Sequence, residues 1–173
     1  MHYTQTISSP LGNILLSADE VGLTGLWFDG GRYYAETLPE EHVERETPIL
    51  MDTKRWLDVY FTGREPDFTP LLHPTGSAFR MTIWRLLLQI PYGQTTTYGE
   101  LAKRLECGRM SAQAVGGAVG HNPISIIVPC HRVVGTNGSL TGYAGGLDRK
   151  IKLLEIEKKD MHGLFRPKKG TAI

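Results

Sequence analysis

The sequence predicts a mixed α/β (α+β) fold in two parts: a small N-terminal unit of about three antiparallel strands plus a helix, then a mainly helical C-terminal unit with a helix-turn-helix. Three observations predict it. Short apolar runs separated by the turn signals "SSPLG" and "DEVG" fill the start of the chain, the pattern of a strand meander. From residue 78 onward apolar residues recur at helical spacing instead. Between the two, "EPDFTPLLHPTGS" (65–77) carries three prolines and reads as a connection, so the parts are placed at 1–76 and 77–173.

The elements follow in order. Residues 2–8 and 13–18 read as strands joined by "SSPLG", and 23–29 as a third strand. The polar stretch 30–48 reads as loop. Leu50, Trp56, Leu57, Tyr60 and Phe61 stand near helical spacing, and Gly63 stops that helix. In the second part Phe79, Ile83, Leu86, Leu87 and Ile90 share one helical face, ended by "PYG" at 91–93. Thr97 with Glu100 three residues on forms a capping box for a helix that stops at Gly108. A second short helix lies in "RMSAQAVGGAVG" and ends at "HNP", because the residue before Pro123 disfavours helix. "ISIIV" (124–128) reads as a buried strand or extended core segment. A glycine-rich loop then leads to a last helix over 147–159, and the basic tail "HGLFRPKKGTAI" reads as loosely held. Two short helices joined by a glycine turn fit a helix-turn-helix, a weak signal alone.

Composition excludes several classes. The chain has 173 residues, enough to bury a core, and 19 basic against 18 acidic residues give a net charge of +1. Nucleic-acid binding would therefore need positive charge placed locally. No apolar run reaches membrane-spanning length, and the start of the chain lacks a basic-then-apolar signal pattern, so no membrane role and a cytoplasmic (nuclear if eukaryotic) location are expected. Two cysteines, Cys107 and Cys130, make no disulfide framework and fit a reducing compartment. Without a CxxC or a helically spaced histidine pair, no metal site is expected.

The stretch "IIVPCHRVVG" (126–135) raises the main chemical question. Cys130 is either a small buried hydrophobe or a nucleophile. A thiol of ordinary pKa is only a few per cent ionised at neutral pH, so a nucleophile needs a base or cation in reach. His131 adjoins it, yet consecutive side chains of an extended segment face opposite ways; Pro129 or a turn must bend the chain, or a water must relay the proton. The histidine would in turn need an orienting carboxylate. Glu157, one turn beyond Leu154 in the stripe Leu147, Ile151, Leu154, is either solvated or, if buried, paired, and His131 is a candidate partner. Gly116 and Gly117 sit mid-helix beside Ala112, Ala114 and Ala118, at about 1 kcal/mol each against alanine, so another helix or a nucleic-acid backbone approaches closely. Lys103, Arg104 and Arg109 are near enough to meet phosphates or are ordinary surface charges. Tyr98 opens the capped helix, where free N–H groups attract anions.

Together "PYGQTTTYGELA", "AVGGAVGHNPISIIVPCHRVVG" and "GYAGG…KLLEIE", in this order, resemble the O6-alkylguanine-DNA alkyltransferase family, strongly from about Phe79 to Glu157. The resemblance implies that Cys130 accepts the alkyl group from guanine O6, that His131 deprotonates it through a water, and that Glu157 orients His131. By analogy Asn122 braces the turn between the recognition helix and the active-site segment. Tyr98 helps rotate the target phosphodiester and contacts the flipped base. Main-chain carbonyls at Cys130 and Val133 receive the guanine amino group, while Tyr143 and the backbone of Ala144 lie beside O6. The family's helix-turn-helix enters the minor groove, which places Ala112, Gln113, Gly116 and Gly117, with Lys103 and Arg109 nearby, against double-stranded DNA. It implies extrusion of the base, a single-use monomer and no cofactor. One position departs from the pattern: Gln113 stands where the family usually has an arginine that fills the gap left by the flipped base, so weaker DNA binding or slower flipping is expected unless Lys103 or Arg109 compensates. No N-terminal zinc is expected, since no cysteine lies there. Two rival readings remain. A non-catalytic lesion binder would lack the acceptor cysteine, and a Cys–His–Glu hydrolase would need an oxyanion hole and leaves the alanine- and glycine-rich helix unexplained.

Overall fold

The structure is a computed structural model and describes residues 1–105 and 112–167. β1 (Tyr3–Ile7), β2 (Ile14–Ala18) and β3 (Leu23–Phe28) pair antiparallel in sequence order. The turns close as their residues dictate. Ser9 donates its hydroxyl to the Gly12 carbonyl at 2.6 Å, and Asp19 Oδ1 accepts from the backbone of Val21 and Gly22. A fourth strand lies inside the stretch expected to be loop: β4 (Val43–Glu44) runs parallel to β1, giving the order β3-β2-β1-β4. Both its residues are exposed, so no apolar alternation marks it; the carbonyls of His2 and Thr4 on the β1 edge make it a strand by accepting from Val43 and Arg45. The proline-bearing segment is more than a connection. It runs along β3, where Leu23 donates to the Leu71 carbonyl and accepts from His73, both at 2.7 Å, and so covers that sheet edge.

α1 (Pro48–Phe61) starts at Thr47, whose side chain accepts from Leu50, and gives way to Gly63 at φ +87°. Its buried Leu50, Trp56, Leu57 and Tyr60 pack toward the sheet. α2 (Ala78–Leu87) stops short of the expected Ile90; Ile83, Trp84 and Leu87 are buried, whereas Phe79 and Leu86 are half-buried. β5 (Thr96–Thr97) leads into α3 (Tyr98–Lys103), with Thr97 accepting from Glu100 N–H at 3.0 Å. α3 ends earlier than the sequence indicated, at Lys103 with Arg104 as its cap; the expected stop at Gly108 lies outside the described residues. α4 (Ala112–Gly120) packs on α2 and α3.

Residues 124–128 are buried but do not form a strand. They coil through turns, with Ile126 at φ +69° and Val128 N–H donating to the Ile124 carbonyl. The Asn122 side chain is the physical reason. It accepts from Ile124 N–H at 3.0 Å and donates to the carbonyls of Ile124 (3.2 Å) and Val128 (2.8 Å), replacing the ladder a strand would need. β6 (Val133–Val134) then pairs parallel with β5. α5 (Leu147–Ile156) is shorter than expected, and its buried stripe is shifted: Lys150, Leu153 and Leu154 are buried, while Leu147 and Ile151 are only half-buried. The tail is held at its start, since Phe165 donates to Gly138 and accepts from Leu140. One apolar cluster runs from Ile14 of β2 to Leu153 of α5, across the division expected at 76/77.

Candidate active site

Pro129, at φ −83° and ψ 64°, bends the chain into a short 3₁₀ turn over Cys130–Arg132. In such a turn successive side chains point roughly a third of a revolution apart rather than to opposite faces, so cysteine, histidine and arginine all reach inward. All three are buried, with Cys130 4% and His131 0% exposed. The bend turns both the Cys130 and the His131 side chains into the interior, which an extended segment would not do.

Glu157 caps α5 and is 3% exposed. A carboxylate that deep needs several donors, and it has them from four residues in three parts of the chain. His131 Nε2 donates to Oε2 at 2.6 Å, Arg132 Nε to Oε1 at 2.8 Å and Arg132 Nη2 to Oε2 at 3.1 Å. The Tyr60 hydroxyl of α1 donates to Oε2 at 2.6 Å and the Gly93 N–H to Oε1 at 3.0 Å. Burial alone would raise this carboxyl's pKa; the hydrogen bonds and charges of His131 and Arg132 outweigh it and hold Glu157 well below the usual carboxylate range. Burial pulls His131 down despite Glu157, so the imidazole is neutral at physiological pH. With Nε2–H committed to the carboxylate, Nδ1 carries the basic lone pair, and Nδ1 is buried without a protein partner.

Burial pushes the Cys130 thiol up, while the Asn122 side chain and the Lys150 ammonium pull against that. Lys150 is fully buried and donates at 2.6 Å to the carbonyls of both Val133 and Thr141; burial brings it down to about 8. The adjoining loop is held from several sides. The Tyr98 hydroxyl donates to the carbonyls of Thr141 (3.1 Å) and Gly142 (3.4 Å), and Ala144 accepts from Arg32 N–H at 2.8 Å. Arg149 spans Gly145, Leu11 and Asp29, donating to each carbonyl. Tyr143 is 1% exposed, its phenol raised well above normal chiefly by burial, and its ring lies edge-on to His131 at 6.4 Å.

On α4, Val115, Ala118 and Val119 face the core while Ala112, Gln113 and Gly117 face solvent. A Cβ on Gly117 would meet nothing within 4 Å, and one on Gly116 would touch only the Tyr98 ring at 3.8 Å. Packing within the described residues therefore does not require these glycines.

Two family models match: "6-O-methylguanine DNA methyltransferase, DNA binding domain" over residues 78–159, and the "ribonuclease-like domain" of the same family over residues 1–73. The chain belongs to the 6-O-methylguanine DNA methyltransferase family. A methylated-DNA–protein-cysteine methyltransferase of Methanosarcina acetivorans is 46% identical over 155 residues, covering 90% of this chain and 97% of that one. One from Haemophilus influenzae is 41% identical over 159 residues, covering 91% and 87%. The crystal structure of Mycobacterium tuberculosis OGT in complex with DNA superposes with a TM-score of 0.80 at 40% identity, covering 90% of this chain and 92% of that one.

Of the family positions carried onto this sequence, Cys130, His131, Glu157 and Asn122 come together in one buried cluster, with Tyr98, Val133, Tyr143 and Ala144 around the neighbouring loop. Ala112, Gln113 and Gly117 stand on the outer helix face, with Gly116 half-buried beside them. Lys103 is exposed and pairs with Glu100 at 3.5 Å; Arg109 lies outside the described residues. Sequence reasoning missed Tyr60, Arg132 and Lys150. A signal existed for the last: Lys150, Leu153, Leu154 and Glu157 follow i, i+3, i+4, i+7, one helical stripe with a charge at each end. Among the described residues no group of three His, Cys, Asp or Glu side chains is placed to hold a metal, and no helix is long and apolar enough to cross a membrane.

Proposed function

We propose that this chain repairs alkylated DNA once per molecule, moving the alkyl group from guanine O6 to Cys130. The buried Glu157–His131 pair beside the Cys130 thiol is the observation that carries the reading. Glu157 fixes the tautomer, so His131 Nδ1 is the base. It takes the thiol proton through a water, and the thiolate attacks the alkyl carbon. The S–C bond forms as the C–O6 bond breaks, and the electron pair leaves with guanine, which Tyr143 protonates or stabilises at O6. The thioether has no route back, so reaction is stoichiometric. The lesion itself is the alkyl donor and guanine the leaving group, so the step calls for no cofactor.

The exposed face of α4 docks duplex DNA through the minor groove, its glycines admitting the sugar–phosphate backbone, and the monomer extrudes the lesion. Asn122 braces the turn that carries Cys130, and the carbonyls of Cys130 and Val133 take the guanine amino group. The division of the chain is 1–76 for the supporting part, which lends Tyr60 to Glu157, and 77–173 for DNA binding and acceptance. The test is intact-protein and peptide mass spectrometry after mixing with a duplex carrying one O6-methylguanine. One methyl group on the Cys130 peptide, saturating at one per protein, is expected; tight binding without a mass change would replace transfer by lesion sensing.

A further inference from the structure

Beside α4 lies a cavity of about 210 Å³, lined by Arg32, Tyr33, Gly116, Gly117, Gly120, Gly142 and Ala144. Five of these seven are glycine or alanine and give it little definition. Only the two N-terminal residues have side chains large enough to bound it. Arg32 is exposed and lays its guanidinium over the Tyr33 ring, 5.1 Å from the centroid. Tyr33 is different. It is half-buried, and its ring stacks on His121 with centroids 3.8 Å apart and planes 27° from parallel. His121 is itself held by Glu36, whose Oε2 lies 2.8 Å from Nδ1. The Tyr33 backbone sits at φ +62°, a conformation a bulky residue adopts only where its surroundings impose it.

We infer that Tyr33 is a specificity-determining residue: its ring is the fixed outer wall of the lesion pocket and limits the size of the O6 substituent that Cys130 accepts. This rests on the proposed alkyl transfer, which sets Ala144 beside O6. Ala144 and Gly142 line the same cavity as Tyr33, and the Ala144 carbonyl accepts from the N–H of Arg32, the residue before Tyr33, at 2.8 Å. A methyl group is small enough to leave the wall untouched; a benzyl group is not. The N-terminal part thus does more than support the acceptor domain. It packs against the C-terminal end of α4, where the Tyr33 ring lies beside Gly120 and on His121.

The experiment compares single-turnover transfer from O6-methylguanine and O6-benzylguanine in the same duplex. Tyr33→Gly, which accepts the positive φ, is expected to raise the benzyl-to-methyl rate ratio by about tenfold, the scale on which pockets discriminate small apolar groups. His121→Ala, which removes the stacking platform but leaves Tyr33 in place, is expected to shift the ratio the same way by less, and serves if Tyr33→Gly folds poorly. Free O6-benzylguanine, reacted without DNA, should show the same gain with Tyr33→Gly. Wild-type protein that alkylates Cys130 while both variants keep its ratio would overturn the inference alone. Equal losses on both duplex lesions would overturn it too, assigning Tyr33 to DNA contact. Wild-type protein that never alkylates Cys130 would instead overturn the functional reading beneath it.

Discussion

His131 Nε2 and Glu157 Oε2 lie 2.6 Å apart, and neither side chain reaches solvent. The same carboxylate also holds Arg132 and Tyr60, so one side chain both orients the His131 imidazole and neutralises a buried guanidinium. Replacing Glu157 by Gln keeps the shape but removes the charge. Stability should fall by about 3–5 kcal/mol, because the arginine is left buried without its counter-charge. Alkyl transfer should slow by about a hundredfold or more, because the imidazole loses its fixed tautomer. Denaturant titration and rapid-quench transfer assays measure the two; a rate loss without a stability loss would contradict the shared role.

The pH profile follows from the buried histidine. Its folded pKa lies below its ordinary value near 6.5, so the imidazole stays neutral and basic as pH falls through that point. Transfer should hold from pH 8 down past 6.5 and decline only below it. Stability contributed by this group is complete above 6.5 and is lost as pH falls from there toward the folded value, since the unfolded chain binds the proton first. An inflection in rate at or above 6.5 would show an imidazole no more shielded than a surface one.

Lys150 gives the opposite end of the scale. Its folded pKa of about 8 lies below the unfolded 10.5, so between those values the unfolded chain holds more protons. Wild-type stability should therefore rise relative to Lys150→Met as pH goes from 8 to 10.5, by up to about 3 kcal/mol. At neutral pH the variant should transfer about tenfold more slowly, because the thiolate loses a nearby cation. Iodoacetamide labelling of Cys130 across pH, set beside thermal melts, tests both; an unchanged thiol titration would remove Lys150 from the chemistry.

Gln113 faces solvent on α4 with no cationic plane of its own. Gln113→Arg should speed repair of duplex DNA by about tenfold and leave the reaction with free O6-benzylguanine unchanged, since only the duplex presents a gap to fill and phosphates to attract. No gain on duplex would mean that the missing arginine costs this protein nothing.

Gly117 tests the docking face directly. Its Cβ position is open, so Gly117→Ala should stabilise the helix by about 1 kcal/mol. The same methyl group should weaken duplex binding several-fold, read by fluorescence anisotropy, if a nucleic-acid backbone comes that close. A more stable protein with unchanged affinity would place the DNA elsewhere.

The three N-terminal strands, the first helix and the capped start of α3 were legible because each has a local cause: turn residues, period, or a side-chain cap. β4 was not, because two exposed residues become a strand only through the edge they meet. The 124–128 segment misled for a related reason. Its apolar run reported burial correctly, but Asn122, outside the run, decided its hydrogen bonding.

Sequence by itself determined the family and the residue types from which the candidate site is built, since Cys130, His131 and the motifs around them are an order of residues that the chain either has or lacks. Tertiary structure alone decided their state. Whether Glu157 is a solvated surface acid or an ionised buried one depends on Tyr60, Gly93 and Arg132, which lie 97, 64 and 25 residues away along the chain. Whether Lys150 is surface charge or buried cation depends on two carbonyls that reach it from the active-site segment and its loop. Charge in a protein is set by what surrounds it, and those surroundings are assembled only by folding.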